Sequence, residues 1–163
     1  MNSEKKCTGY PSIDKPWLKY YSEKALNTPI PECTIWEYMY ENNKDHLNDT
    51  ALVYFGKKIV YAELFRNIDK CAHALKAFGV KENEIVTVAL PSIPEALYLV
   101  YALNKVGAVA NMIHPLAGAG EIKNYLNEVN TKHFFMFTGT YDIISSTLSE
   151  TSVEKAVKTT CFL

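Results

Sequence analysis

From Ile85 onward the chain alternates short unbroken apolar runs with segments of helical period, and few folds accept that pattern. The runs are residues 85–90, 108–113 and 133–137. Between them the spacing predicts a helix over 94–106 and another marked by Ile122, Tyr125, Leu126 and Val129, ending near Asn130. A weaker helix over 141–148 carries Ile143, Ile144 and Leu148, and the tail from Val153 is a candidate further strand. A strand with one wet face alternates apolar and polar residues. These strands do not, so both faces of their sheet must be covered. Strand–helix–strand order implies right-handed crossovers and parallel pairing. The expected fold class is α/β: a parallel or mostly parallel sheet in three layers, with helices on both faces.

Three features precede the alternation. Residues 51–55 and 58–60 read as a β-hairpin with Gly56-Lys57 as a type II′ turn. The clearest helix, 61–78, sets Leu64, Phe65, Ile68, Cys71, Ala72, Leu75 and Phe78 on one face, and Gly79 follows as its stop. A shorter helix begins at Thr34, with Glu37 at capping-box spacing and Ile35, Trp36 and Met39 as its inward positions. Residues 1–33 show no period. Pro11, Pro16, Pro29 and Pro31 punctuate them, so they are expected to form an extended arm anchored by Trp17, Tyr20 and Tyr21. The division is therefore 1–33 as arm and 34–163 as an α/β unit.

Composition narrows the class. Seventeen basic residues against 18 acidic ones give a net charge of −1, with no basic stripe for nucleic acid. Cys7, Cys33, Cys71 and Cys161 are scattered and form no CxxC pair. Free thiols in a reducing, cytoplasmic setting are expected rather than disulfides or a zinc site. Residues 1–6 lead into no apolar signal segment, and the most apolar stretch, 96–103, is far shorter than the ~20 residues a membrane span needs.

Ligand sites in such sheets lie at the carboxyl ends of strands. Ser92 follows the first strand, but no GxSxG elbow surrounds it; with Glu95 three residues on, it is read as a helix cap. His114 and the glycines of Gly118-Ala119-Gly120 follow the second strand. A phosphate cradle with His114 as acid or base is the functional reading; the spacing matches neither glycine fingerprint, so a flexible turn is expected. Thr138-Gly139-Thr140 reads as a turn and cap. Asp45 and His46, and the separate His73 and His133, have no partners at metal-ligand spacing, and His73 lies on the polar side of its helix. Arg66 sits on a helix with no legible role.

Residues 50–137 nevertheless resemble the N-terminal region of the adenylate-forming superfamily, which includes acyl-CoA synthetases, aryl-CoA ligases, luciferases and peptide-synthetase adenylation domains. The likeness rests on the hairpin ahead of "YAEL", the long helix ending in "GV", the strand "IVTVAL", the unit "PSIPEALYLVYALNKVGAV" and the following "HP", in that order. "KPWLKYY" followed by "PIPECTIWEYM" is similar to the leader of fatty-acyl-CoA ligases. Two places depart from the family: Asn83-Glu84 stands where Gly-Asp is usual, and Gly118-Ala119-Gly120 is richer in glycine.

The resemblance implies a ligase that uses ATP, Mg²⁺ and coenzyme A to turn a carboxylic, expectedly fatty, acid into an acyl-adenylate and then a thioester. The family's phosphate loop, adenine and ribose contacts and catalytic lysine have no counterpart among these residues. The resemblance therefore implies an N-terminal portion that precedes the phosphate loop. No catalytic, cofactor-binding or metal residue is carried over. The portion alone is expected to be inactive, to bind none of the three cofactors and to self-associate through surface covered in a whole enzyme. Alternatives are an aryl- or amino-acid-activating member, or a free-standing α/β interaction module.

Overall fold

The computed structural model describes residues 7–160. It comprises two compact units that divide after Glu32. Residues 1–6 and Cys161 lie outside the described residues, so the readings made on them do too.

The first unit is not an extended arm. It is built from helix α1 (Pro11–Asp14), a 3-10 turn (Pro16–Tyr20) and helix α2 (Glu23–Asn27). Pro11 and Pro16 open helical turns here, because a proline φ near −65° suits the first helical position as well as it suits extended chain. Asp14 accepts the N–H groups of Thr8 and Gly9, each at 2.9 Å, and the Thr8 hydroxyl. The Thr8 N–H above all holds its carboxyl below the usual range. Ser22 caps α2 through the Ala25 N–H at 3.2 Å. None of these helical segments contains a buried residue, and Trp17, Tyr20 and Tyr21 are exposed.

The second unit opens with α3 (Ile35–Asn43), whose capping box between Thr34 and Glu37 is complete. Trp36 is buried and Met39 packs beside the core, but Ile35 is exposed. Trp36, Met39 and Tyr40 define the inner face, and Ile35 lies about a quarter-turn off it. The hairpin follows as β1 (Thr50–Tyr54) and β2 (Lys57–Val60). Its turn falls one residue earlier than the sequence suggests. Tyr54 pairs with Lys57, and Phe55 and Gly56 both take positive φ, 46° and 82°. That is a type I′ loop, whose two central residues are normally Asn, Asp or Gly. The observed register sets Leu52 opposite the buried Ile59. Core burial thus outranks the turn preference, at a cost of about 1 kcal/mol for holding Phe55 left-handed.

Helix α4 (Tyr61–Phe78) ends at Gly79 with φ 100°. Then β3 (Ile85–Ala89), α5 (Pro94–Lys105), β4 (Val109–Met112), α6 (Ala119–Glu128), β5 (His133–Phe137), α7 (Tyr141–Ile144) and β6 (Lys155–Thr159) alternate as expected. The expected helix over 141–148 is split, since 3-10 turns at Thr138–Thr140 and Ser145–Glu150 flank the single turn of α7. Strand order is β4-β3-β5-β6 with every pair parallel. The candidate strand near the tail is β6, seated beside β5 with Phe135 opposite Val157.

The strands bury both faces. Val86, Val88 and Leu90 pack with α3, α4, α5 and the hairpin. Ala89, Phe134 and Met136 pack with Ile122, Leu126 and Ile144 on the other side. Asn83, in the departure from Gly-Asp, takes φ 61°, a conformation that asparagine tolerates better than most residues.

Candidate functional site

In strand order β4-β3-β5-β6 the chain leaves β3 for β4 on one side and returns past it to β5 on the other. The topological switch point therefore lies at the carboxyl ends of β3 and β5, where open α/β sheets bind ligands. The residues there are Pro91 and Ser92 after β3, and Thr138-Gly139-Thr140 after β5.

Beside β3's end lies an apolar groove of about 390 Å³ between the hairpin and the start of α5. Leu52, Tyr54, Leu90, Ile93, Leu97 and Met112 line it, and Ser92 stands at its rim. Among its lining residues there is no histidine, carboxylate or lysine. The groove can accept an apolar group, and it brings no base to the Ser92 hydroxyl.

Ser92 does not cap α5. The N-cap is Ile93, and Pro94 is the first helical residue. The buried Ile93 side chain fixes this register, and the Ile93 N–H donates to the Pro91 carbonyl at 2.8 Å. Ser92 is thereby left one residue outside the helix and exposed. Glu95, expected to complete a capping box, instead has a buried Oε2 without a hydrogen-bond partner. Tyr98, one turn on, has its phenol pushed up by burial; an Asn67 hydrogen bond opposes this, while the Glu63 and Glu95 charges add to it.

The region after β4 is a turn. The Nδ1 of the exposed His114 accepts the Leu116 N–H at 3.2 Å, and its carbonyl accepts Ala117 N–H at 3.2 Å. Gly118 is the N-cap of α6 with φ −65° and ψ 152°. Glu121 occupies the first turn of α6, and its carboxylate accepts the Tyr125 hydroxyl one turn further along. After β5, the Thr140 hydroxyl donates to the Phe137 carbonyl at 3.0 Å rather than capping α7. A Cβ on Gly139 would meet Phe137 Cε1 at 2.6 Å, so this turn needs glycine.

The remaining candidates are dispersed. His46 pairs with Asp49 at 3.2 Å in the open. His73 is exposed, as its helical position predicts, and its Nδ1 lies 2.8 Å from the Asp69 carbonyl. Arg66 is exposed. Cys7, Cys33 and Cys71 are free, and burial pushes the Cys71 thiol up to about 11. Among the described residues no group of three or more His, Cys, Asp or Glu could hold a metal ion, and no helix is long and apolar enough to cross a membrane.

Two polar clusters escaped sequence reasoning because their members are far apart in the chain. The buried Thr131 hydroxyl accepts the Thr87 N–H at 3.2 Å and donates to the Ile85 carbonyl at 2.9 Å. Asn111 adds a bond to the Thr87 hydroxyl at 3.1 Å. At the amino ends of the strands, buried His133 pairs through Nδ1 with Glu84. Lys81, Lys132, Glu154 and Lys155 surround that pair.

Comparison with known proteins places this arrangement. The profile of a family described as "AMP-binding enzyme" matches residues 39–162, from within α3 past β6. The acetyl-coenzyme A synthetase of Brucella canis is 44% identical over 73 residues, covering 42% of this chain and 11% of that protein. The acetyl-coenzyme A synthetase of Allorhizobium ampelinum is 37% identical over 89 residues, 48% of this chain and 14% of that protein. The matched part thus spans only about a tenth of these relatives' length. Among solved structures, a long-chain-fatty-acid-CoA ligase (FadD1) from Archaeoglobus fulgidus superposes with TM-score 0.75 at 20% identity, covering 81% of this chain and 28% of that one. The anthranilate CoA ligase AuaEII, solved with anthranoyl-AMP, gives TM-score 0.74 at 20% identity over 80% of this chain and 26% of that one. The likeness to solved ligases covers the α/β fold, and the profile runs unbroken through hairpin, sheet and covering helices: the chain belongs to the AMP-binding enzyme family.

Proposed function

We propose that the chain is the N-terminal α/β portion of a cytoplasmic ATP-dependent acyl-CoA ligase. In this reading a carboxylate attacks the α-phosphate of ATP to give an acyl-adenylate and pyrophosphate. The coenzyme A thiolate then displaces AMP to form the thioester. The chain's own part is scaffold: β3, β4, β5 and β6 form part of one sheet, and the groove beside α5 is one wall. In this reading Mg²⁺ would enter with the nucleotide of the whole enzyme; among the described residues no group of three or more His, Cys, Asp or Glu could hold it alone. The observation that carries the reading is the continuous family match over residues 39–162.

A fatty acid is the substrate suggested by the leader "KPWLKYY". The 44% identity to acetyl-coenzyme A synthetases favours a second reading, a short acid. Pyrophosphate release with ATP and acetate, octanoate, palmitate or benzoate separates the two on the product of the whole gene. The isolated chain is expected to release none and to bind no ATP at micromolar concentration by calorimetry. Micromolar binding by the chain alone would refute the scaffold role.

The same reading leaves apolar surface open. Leu97, Tyr98, Val100 and Tyr101 of α5 are only half-buried, and Val109 and Met112 on the edge strand β4 are exposed. Such surface, beside an unpaired strand edge, favours association. The isolated chain is expected to elute as a dimer or larger species in size exclusion with light scattering. A clean monomer at tens of micromolar would count against it.

A further inference from the structure

We propose that the tip of the β1–β2 hairpin is a contact for an anionic lipid surface. Phe55 is 81% exposed and Val53 64% exposed, so among the described residues the tip presents largely uncovered apolar side chains. The Tyr54 ring, half-buried against the core, meets the Phe55 ring edge to face at 4.7 Å and braces it at the tip. Val53 lies directly opposite Lys58, and Tyr54 opposite Lys57. Directly opposed residues share a face of a two-stranded ribbon, so Lys58 projects beside Val53. Lys57 and Lys58 are exposed, and residues 50–60 contain no carboxylate. An apolar tip with cations immediately behind it matches the layering of a membrane interface, where rings enter the headgroup boundary and ammonium groups meet anionic lipid.

The turn itself sharpens the inference. A type I′ loop asks for Asn or Gly at position 55, yet phenylalanine is held there at φ 46°. Asparagine would relax the backbone and remove the ring. Stability and lipid binding are therefore expected to move in opposite directions on one substitution, which a purely structural role for Phe55 would not produce.

The test is flotation of the intact 163-residue chain with vesicles of phosphatidylcholine alone or with about a third phosphatidylserine, at low and physiological salt. Wild type is expected to bind the anionic vesicles, to bind the neutral ones far less, and to be released as salt rises. Phe55→Asn is expected to melt at the same or higher temperature and to lose at least about fivefold in partitioning. Lys57→Glu with Lys58→Glu is expected to lose more than about 25-fold, since each lysine is worth roughly fivefold near an anionic surface. Wild type that does not float with anionic vesicles would overturn the proposal. So would binding that survives both variants unchanged, which would assign it to another surface.

Discussion

Phe134→Ala is expected to lower the unfolding free energy by about 3–5 kcal/mol, near the top of the range for a single core truncation. Phe134 is fully buried in β5, an inner strand paired with β3 on one side and β6 on the other. Its ring packs in a cluster with Ala89, Ile122, Leu126, Met136 and Ile144. The backbone on both sides is held by strand pairing, so the hole cannot close by collapse, and both the transfer and cavity contributions are lost. Against a total of about 5–15 kcal/mol for a domain, such a loss moves the urea midpoint by a large fraction. The neighbouring residue supplies the contrast. Phe135 points to the opposite face, partly buried, along an open apolar groove with Cys71, Leu75, Phe78 and Val157. Its neighbours can relax, and Phe135→Ala is expected to cost about half as much. Equal losses for the two would mean that the face beside α4 is as tightly closed as the one beside α6.

That pair of phenylalanines also marks where the sequence is informative. "HFFMF" reads as an unbroken apolar run, which is enough to predict a strand buried on both sides and, with its helical neighbours, a parallel sheet. It does not say which phenylalanine meets the better-filled layer, because that depends on α4, α6 and β6 arriving from elsewhere in the chain. The misses are of two kinds. Local propensity pointed to a turn at Gly56-Lys57 and a cap at Ser92, but burial of Ile59 and of Ile93 overruled it. The prolines of the first unit suit an extended chain and a helix start equally, and Asp14 and Ser22 tip the balance through hydrogen bonds. The site was less legible than the fold. Ser92, His114 and Thr138-Gly139-Thr140 were located at strand ends as expected, yet His114 and Thr140 spend their side-chain bonds on the turns themselves. The switch point follows only from strand order, which no local pattern encodes.

Glu84→Ala is expected to destabilise the chain by about 2–3 kcal/mol, the second largest effect, although Glu84 reads in the sequence as one more charge in a polar loop. One of its oxygens meets His133 Nδ1, and the other accepts the Lys81 N–H at 3.0 Å. His133 is buried at the start of β5, with its ring 5.3 Å from that of Phe78 at the end of α4. Lys155 extends the join by donating to the Phe78 carbonyl at 2.5 Å. The amino ends of β3, β5 and β6 and the last turn of α4 are thus tied through a few polar atoms. Removing one partner of a buried pair leaves the other desolvated and unmatched, which costs about 3–5 kcal/mol when burial is complete. Glu84 keeps 15% of its side chain exposed, so water can partly replace it and the loss is smaller. The Lys132–Glu154 pair nearby, at 2.8 Å, has side chains more than half exposed. Lys132→Ala is accordingly expected to leave the urea midpoint almost unchanged. A double-mutant cycle of Glu84→Ala with His133→Ala should give a coupling of about 1–2 kcal/mol in urea unfolding. Glu84→Gln keeps one oxygen acceptor but turns an amide donor toward either His133 or the Lys81 N–H, so it should recover only part of the loss. If Glu84→Ala unfolds at the same urea concentration as Lys132→Ala, burial is not what distinguishes the two pairs, and the clasp at this edge of the sheet contributes no more than a surface ion pair.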